Sequence, residues 1–383
     1  MKKVTFTWLL LLPFIQGCGL SGAYIFFGDK AWNSYKEAIK NSQIDEAQEF
    51  AKAAYGNYKD SLTYDEKRYP LVYLKLAETS YIIRQNPSES LGWVKRGLTQ
   101  VPDNSNLMAG LGKYTFFSAK SKNGIEHDKL LNEAKEHYRA ALISDPIDPG
   151  FNVGLMEVFF YEIEKYKFEG KESKSKYLIT QVEELFENLI DTDSALIEEA
   201  NGVLAFLKAD YKTAIEKLSS VLKGPYVRSE ESRSRYYLAR SYVESKRYDD
   251  AVDIATDVLN ISEDDFLIRG ERVIAYYLKG DTSAGALDLE WMEKKSDKYH
   301  EFFYRLGRLF YKQNLSKKAQ FYLLKAFRLN GENGNYAFAL GENYLLDGNT
   351  RAARKFFDRA ASVAPVGSAL EKRSQQRLTE IGE

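Results

Sequence analysis

Cys18 is the only cysteine of this 383-residue chain, and His127, His137 and His300 are its only histidines. One thiol cannot form a disulfide within the chain. These few dispersed groups do not make a zinc site of cysteine and histidine, so no metal is expected. His127 stands in the polar stretch "GIEHD" between Glu126 and Asp128, where a solvated loop is expected. His137 and His300 fall in helical stretches and read as packing or surface residues. Carboxylates are plentiful but scattered, as on the solvated faces of helices. No glycine-rich phosphate loop and no G-x-S-x-G turn is present. The chain is therefore expected to be non-enzymatic and to need no cofactor. The one residue whose position suggests chemistry is Cys18, as a thiol nucleophile close behind an apolar run.

Composition narrows the class of partner. Hydrophobic residues make up 44% and charged residues 28%, the balance of a folded protein. The 54 basic and 55 acidic residues leave a formal net charge of −1. A nucleic-acid partner calls for a basic excess or stripe, so none is expected. A chain of this length exceeds one ordinary core, which leaves several domains or a repeat array.

Residues 1–17 read as an export signal. Lys2 and Lys3 form a positive start, and Val4 to Ile15 is a mostly apolar run of about a dozen residues, too short to span a bilayer. Ile15-Gln16-Gly17-Cys18 then resembles the bacterial lipobox: aliphatic residue, tolerant position, small residue, cysteine. The resemblance implies that the Cys18 thiol is joined to diacylglycerol and that the chain is cut before it. It also implies an address. Gly19 lacks the aspartate that retains such lipoproteins at the inner membrane, which points to the outer membrane, facing the periplasm. Residues 18–29 would be the tether. The ten residues 19–28 between the lipid and the first helix reach at most about 35 Å, so the folded part would sit near the bilayer. Within that stretch Ala23 to Phe27 is expected to pack on the first helical pair.

The remainder repeats itself. In "NYAFALGENYLLDGNTRAARKFFDRAASVAP", residues 335–365, Leu340, Gly341, Tyr344, Ala353, Phe357, Ala360 and Pro365 stand at the spacing of the tetratricopeptide repeat. Small residues sit where two antiparallel helices approach and large ones where space must be filled. Steps of 34 residues back from Gly341 reach Gly307, Val273 and Ala239, each in a comparable unit. Residues 198–222 hold another unit 37 residues further back, and looser units continue to the start. The chain thus resembles the tetratricopeptide-repeat family. The fold expected is all-α, an α-solenoid of about nine such helical pairs with a C-terminal capping helix. Its divisions are a signal at 1–17, a tether at 18–29, divergent pairs at 30–192, a regular array at 193–367 and a cap at 368–383.

In that family the first helices of the pairs line a groove. Carried onto this register, the groove positions include Arg233, Tyr236, Arg240, Tyr277, Tyr304, Arg308, Tyr311 and Lys312, with Phe338, Glu342 and Leu345 in the last pair. Arginine offers a planar donor fork and tyrosine a rigid ring with a polar tip. Such a groove suits an extended peptide with acidic groups, or a glycan stacked on rings. Two insertions, "SAKSKNGIEHDK" (118–129) and "YKFEGKESKSK" (166–176), are expected to project as loops from one edge. The resemblances together imply a lipid-anchored scaffold or adaptor in the bacterial envelope, binding an envelope protein. The alternative is a lipoprotein that binds a glycan or cell-wall fragment.

Overall fold

A computed structural model describes residues 12–41, 43–65, 69–122, 124–189, 194–223, 232–295 and 299–382. The side chains of 12–18, 124, 223, 232 and 295 are outside that description. The signal reading therefore falls largely outside the described residues, as does the side chain of Cys18.

The described residues form nineteen helices and no strand. They run as α1 (Leu12–Lys40), α2 (Ile44–Tyr64), α3 (Val72–Arg84), α4 (Pro87–Gln100), α5 (Ser105–Ala119) and α6 (Gly124–Ser144). Then come α7 (Pro149–Phe168), α8 (Glu172–Glu187), α9 (Ala195–Leu207), α10 (Tyr211–Lys223), α11 (Ser232–Glu244) and α12 (Tyr248–Ile261). The last are α13 (Phe266–Lys279), α14 (Thr282–Lys295), α15 (His300–Lys312), α16 (Ser316–Leu329), α17 (Gly334–Leu346), α18 (Thr350–Val363) and α19 (Ala369–Gly382). Nine pairs followed by one helix is the arrangement the repeats predict.

The 34-residue register explains the packing. Ala239, Val273, Gly307 and Gly341 are all buried. So are Val258, Met292, Ala326 and Ala360 on the second helices. A Cβ on Gly341 would lie 2.6 Å from the Phe357 ring, and one on Gly307 would lie 2.8 Å from Leu323. Only glycine lets these helix pairs come so close. Turns repeat with the helices: Lys246, Gly280, Asn314 and Gly348 each have positive φ, between 57° and 94°. Ala209, 37 residues before Lys246, has φ 64°. Asn104, Asp265 and Asn349 cap helices by accepting hydrogen bonds from the backbone N–H of Leu107, Ile268 and Ala352. Ala364 leaves the helical region just before Pro365, which cannot continue α18.

Two compact units divide the chain: residues 1–158, 184–200 and 220–231 in one, and 159–183, 201–219 and 232–383 in the other. In the first unit Tyr58, Tyr73, Leu76, Val94 and Leu107 are fully buried. Residues 20–29 continue α1, with Gly19 (φ 69°) as a break. Ala23 is buried, Ile25 packs on the core and Tyr24 stacks on Tyr64 at 5.5 Å. Tyr138 of α6 wedges against Gly112 and Gly154, two glycines of the looser repeats.

The second unit is centred on Val273, Met292, Phe303, Leu306, Phe310 and Tyr336. Its last helix, α19, packs on α17 and α18 with Leu370 buried. Arg377 of α19 grips Glu342 of α17 through two nitrogens, at 2.8 and 3.1 Å.

The two insertions do not project as loops. Residues 118–129 are mostly helical, in the end of α5 and the start of α6. His127, expected in a solvated loop, is buried on α6 with its Nδ1 2.8 Å from the Ala119 carbonyl. Residues 166–176 likewise belong to α7 and α8 apart from a short turn around Gly170. Lys, Glu and Ala-rich polar runs are good helix formers, and their polarity reflects a solvent-facing side. Among the described residues no helix is long and apolar enough to cross a membrane.

Candidate functional site

The site is assembled in the second unit, where a segment from the middle of the chain lies on the first helices of the pairs. Residues 159–168, the second half of α7, reach α11, α15 and α17. Glu164 pairs with Arg240, and the Tyr237 hydroxyl donates to its other oxygen at 2.7 Å. The Phe168 ring meets Tyr304 edge-on at 6.0 Å. The Asn335 side-chain amide donates to the Phe168 carbonyl. Arg233 lies over the Phe160 ring, 5.7 Å from its centre. A helical segment is thus held by a guanidinium on its carboxylate, a ring on its ring and an amide on its backbone.

Beneath this contact lies a group of charges. Arg305 takes Glu271 with both terminal nitrogens, the second at 2.8 Å. The two residues are 34 apart, so they occupy the same register in successive repeats. Arg240 serves Glu164 and also contacts the Tyr236 hydroxyl at 3.2 Å. Glu301 has no such partner: its Oε1 is sealed from solvent and meets no hydrogen-bond donor. Desolvation first, and then the charge of Glu164, pushes the Glu301 carboxyl up to about 7, against the pull of Arg240 and Arg305. Burial also lowers the His300 imidazole, whose Nδ1 lies 2.7 Å from the Tyr336 hydroxyl.

A pocket of about 120 Å³ opens beside these groups. Its lining includes Tyr236, Glu271, Tyr299, Glu301, Phe302 and Arg305. Phe266 and Tyr299 stack with centres 3.5 Å apart, and Phe302 meets Phe266 edge-on at 6.1 Å. The result is an aromatic wall beside a carboxyl group one of whose oxygens has no hydrogen-bond partner among the described residues.

The predicted groove residues divide by place. Arg233, Tyr236, Arg240 and Tyr304 lie where α7 and the charges meet, and Tyr304 also stacks on Tyr336 at 4.7 Å. Arg308 is half-buried with its guanidinium 5.7 Å from the Tyr311 ring, and Lys312 is exposed. Tyr277 is instead buried in the core, edge-on to Phe310 at 5.3 Å. Its position in the repeat turns the ring between pairs, under Gly285. Sequence reading missed Glu301, Glu271, Arg305 and Glu164. The first was within reach: two steps of 34 from Arg233 give Glu301, and a third gives Asn335. Glu164 had no such signal, being 76 residues from Arg240. Among the described residues no cluster of three or more His, Cys, Asp or Glu is arranged to hold a metal ion.

Residues 300–333, the α15–α16 pair, match the tetratricopeptide repeat family. Solved structures of similar fold include a thermophilic tetratricopeptide-repeat protein of Thermus thermophilus, 17% identical over 54% of this chain and 99% of that one, with a TM-score of 0.43. A tetratricopeptide repeat protein from Parabacteroides merdae is 14% identical over 82% of this chain and all of that one, at 0.36. Yeast Tom70 is 10% identical over 93% and 95%, at 0.45. No functionally curated protein matches the chain.

Proposed function

We propose that this array of tetratricopeptide-type helical pairs is a non-enzymatic scaffold that holds partner proteins near a bacterial membrane. The observation that carries the reading is the mode in which the second unit already grips residues 159–168. Arg240, Tyr304 and Asn335 provide the three contacts a helical or extended peptide needs: charge, ring and backbone. Arg308, Tyr311 and Lys312 extend that face beyond the α7 contacts, and we assign the partner to them. Tyrosine and arginine carry much of the energy at protein interfaces, which suits the set.

The anchor in this reading is lipid on Cys18. Two or three acyl chains hold a protein stably on a bilayer where one does not. The site of action is then the periplasmic side of the outer membrane. The partner is an envelope protein that places acidic or aromatic side chains against Arg308, Tyr311 and Lys312.

The test combines anchor and face. A photo-crosslinker at Tyr311 in native membranes should trap one defined protein. Arg308→Glu with Lys312→Glu should abolish that product while the helical signal and melting temperature stay unchanged. In parallel, Cys18→Ser should release the chain from the membrane fraction and end incorporation of labelled fatty acid. Retention of the crosslink in the charge-reversed variant would sink the face, and an unlipidated, equally membrane-bound wild type would sink the anchor.

A further inference from the structure

We infer that the pocket beside Glu301 receives the ammonium group of a lysine side chain, supplied by the partner segment. The inference rests on the reading that this face binds proteins, and it names what the bound segment must carry.

The first ground is unequal pairing. Arg240 is committed to Glu164 and Arg305 to Glu271. Among the described residues neither guanidinium hydrogen-bonds Glu301, although both act on its charge, and its Oε1 is shielded from water. A buried carboxylate without a partner either keeps its proton or waits for a cation. Arg240 Nε also lacks a partner, but Arg240 does not line the pocket.

The second ground is shape. About 120 Å³ is roughly tenfold the space that a single water needs. The walls are Tyr236, Phe266, Tyr299 and Phe302, with Glu271, Glu301, His300 and Arg305 among them, the Arg305 guanidinium being held by Glu271. Rings accept both a methylene chain and the positive charge at its end. Lysine fits better than arginine. Its ammonium is a compact charge, whereas a guanidinium fork would find one free carboxylate for five N–H donors. An anionic ligand is disfavoured because both guanidinium groups nearby are already bonded to carboxylates.

Binding must then be linked to the Glu301 proton. The groups that face it are Glu164 from α7, Tyr236 and Arg240 from α11, Glu271 from α13, His300 and Arg305 from α15 and Tyr336 from α17. With the carboxyl pushed up to about 7, acid conditions neutralise the receptor for the ammonium. Lysine binding should strengthen as pH rises to about 7 and level off above it.

The experiment uses the full chain and Nα-acetyl-lysine-N-methylamide as probe, followed through the ¹³Cδ shift of Glu301 and the tyrosine ring signals. Saturable binding is expected at pH 8, at least about tenfold weaker at pH 5.5. Glu301→Gln keeps the size of the side chain and should remove binding. The Nε-acetylated probe, which lacks the charge, should not bind the wild type. No saturable shift at pH 8, equal binding by Glu301→Gln, or equal binding of the Nε-acetylated probe would each overturn the inference. The probe is one residue long, so its outcome is independent of partner capture. Probe binding without any trapped partner would support the pocket and count against the scaffold reading alone.

Discussion

Glu301 links the stability of the second unit to pH. Its ordinary carboxyl value is 4.5, and in the folded protein desolvation pushes it up to about 7. Between those values the folded state holds a proton that the unfolded chain has released. Folding therefore loses stability as pH rises through this window, by at most about 3 kcal/mol. Above about 7 both states are ionised and the slope ends. Glu301→Gln keeps a neutral side chain at every pH and should flatten the curve. Urea unfolding at pH 5, 6, 7 and 8 measures this: the lowered His300 contributes a rise over the same window in both proteins, so the wild-type midpoint should fall relative to that of the variant as pH increases. Equal slopes would assign the pH dependence to other groups. The sequence marked this position only through the register it shares with Arg233 and Asn335. Its environment depends on neighbours from four other helices, α7, α11, α13 and α17.

At the scale of the helical pair, the left-handed turn is the recurrent demand. Lys246, Gly280, Asn314 and Gly348 stand 34 residues apart, and all have positive φ. Glycine adopts this conformation without penalty, while a residue with a Cβ gives up roughly 1–2 kcal/mol there. The chain meets the demand with glycine twice, asparagine once and lysine once. Lys246→Gly should therefore raise stability by about 0.5–1 kcal/mol, the relief being partly offset by the greater freedom of glycine in the unfolded chain. Gly348→Ala should lower it by about 1 kcal/mol; no neighbour would touch the added Cβ, so the loss reports backbone strain alone. Thermal melts of the two variants should move in opposite directions, and movement in the same direction would refute the argument. Pairs were legible in the sequence because their determinants are local: small residues at helix crossings, rings opposite them, a turn between. The two insertions were misread for the complementary reason. Their polar runs look like loops, but the same residues form the solvent-facing turns of α6, α7 and α8.

On the scale of the whole molecule, the period of 34 made the array readable, and the departure from it was not. Nothing in residues 159–168 announces that they lie on first helices 76 and 167 residues further on. The segment alternates aromatic and charged residues, as an amphipathic repeat helix does, and only the contacts of Glu164 and the Phe168 carbonyl disclose its role. Repeat arrays are held by nearest-neighbour contacts, so their helices loosen piecemeal. A segment that touches α11, α15 and α17 at once changes that: it ties α11 and the neighbouring helices α15 and α17 to a common element. Glu164→Gln combined with Phe168→Ala removes the charge from Arg240 and the ring from Tyr304. Phe168 is half-buried, so the expected cost is about 1–2 kcal/mol, less than for a fully buried phenylalanine. Hydrogen exchange should then quicken together in α11, α15 and α17, while α3 and α4 of the first unit keep their protection. Faster exchange in α11 alone would mean that the array loosens neighbour by neighbour and that the α7 segment is a passenger. A joint response would make residues 159–168 a structural tie, and the partner face would be the remainder that Arg308, Tyr311 and Lys312 leave open.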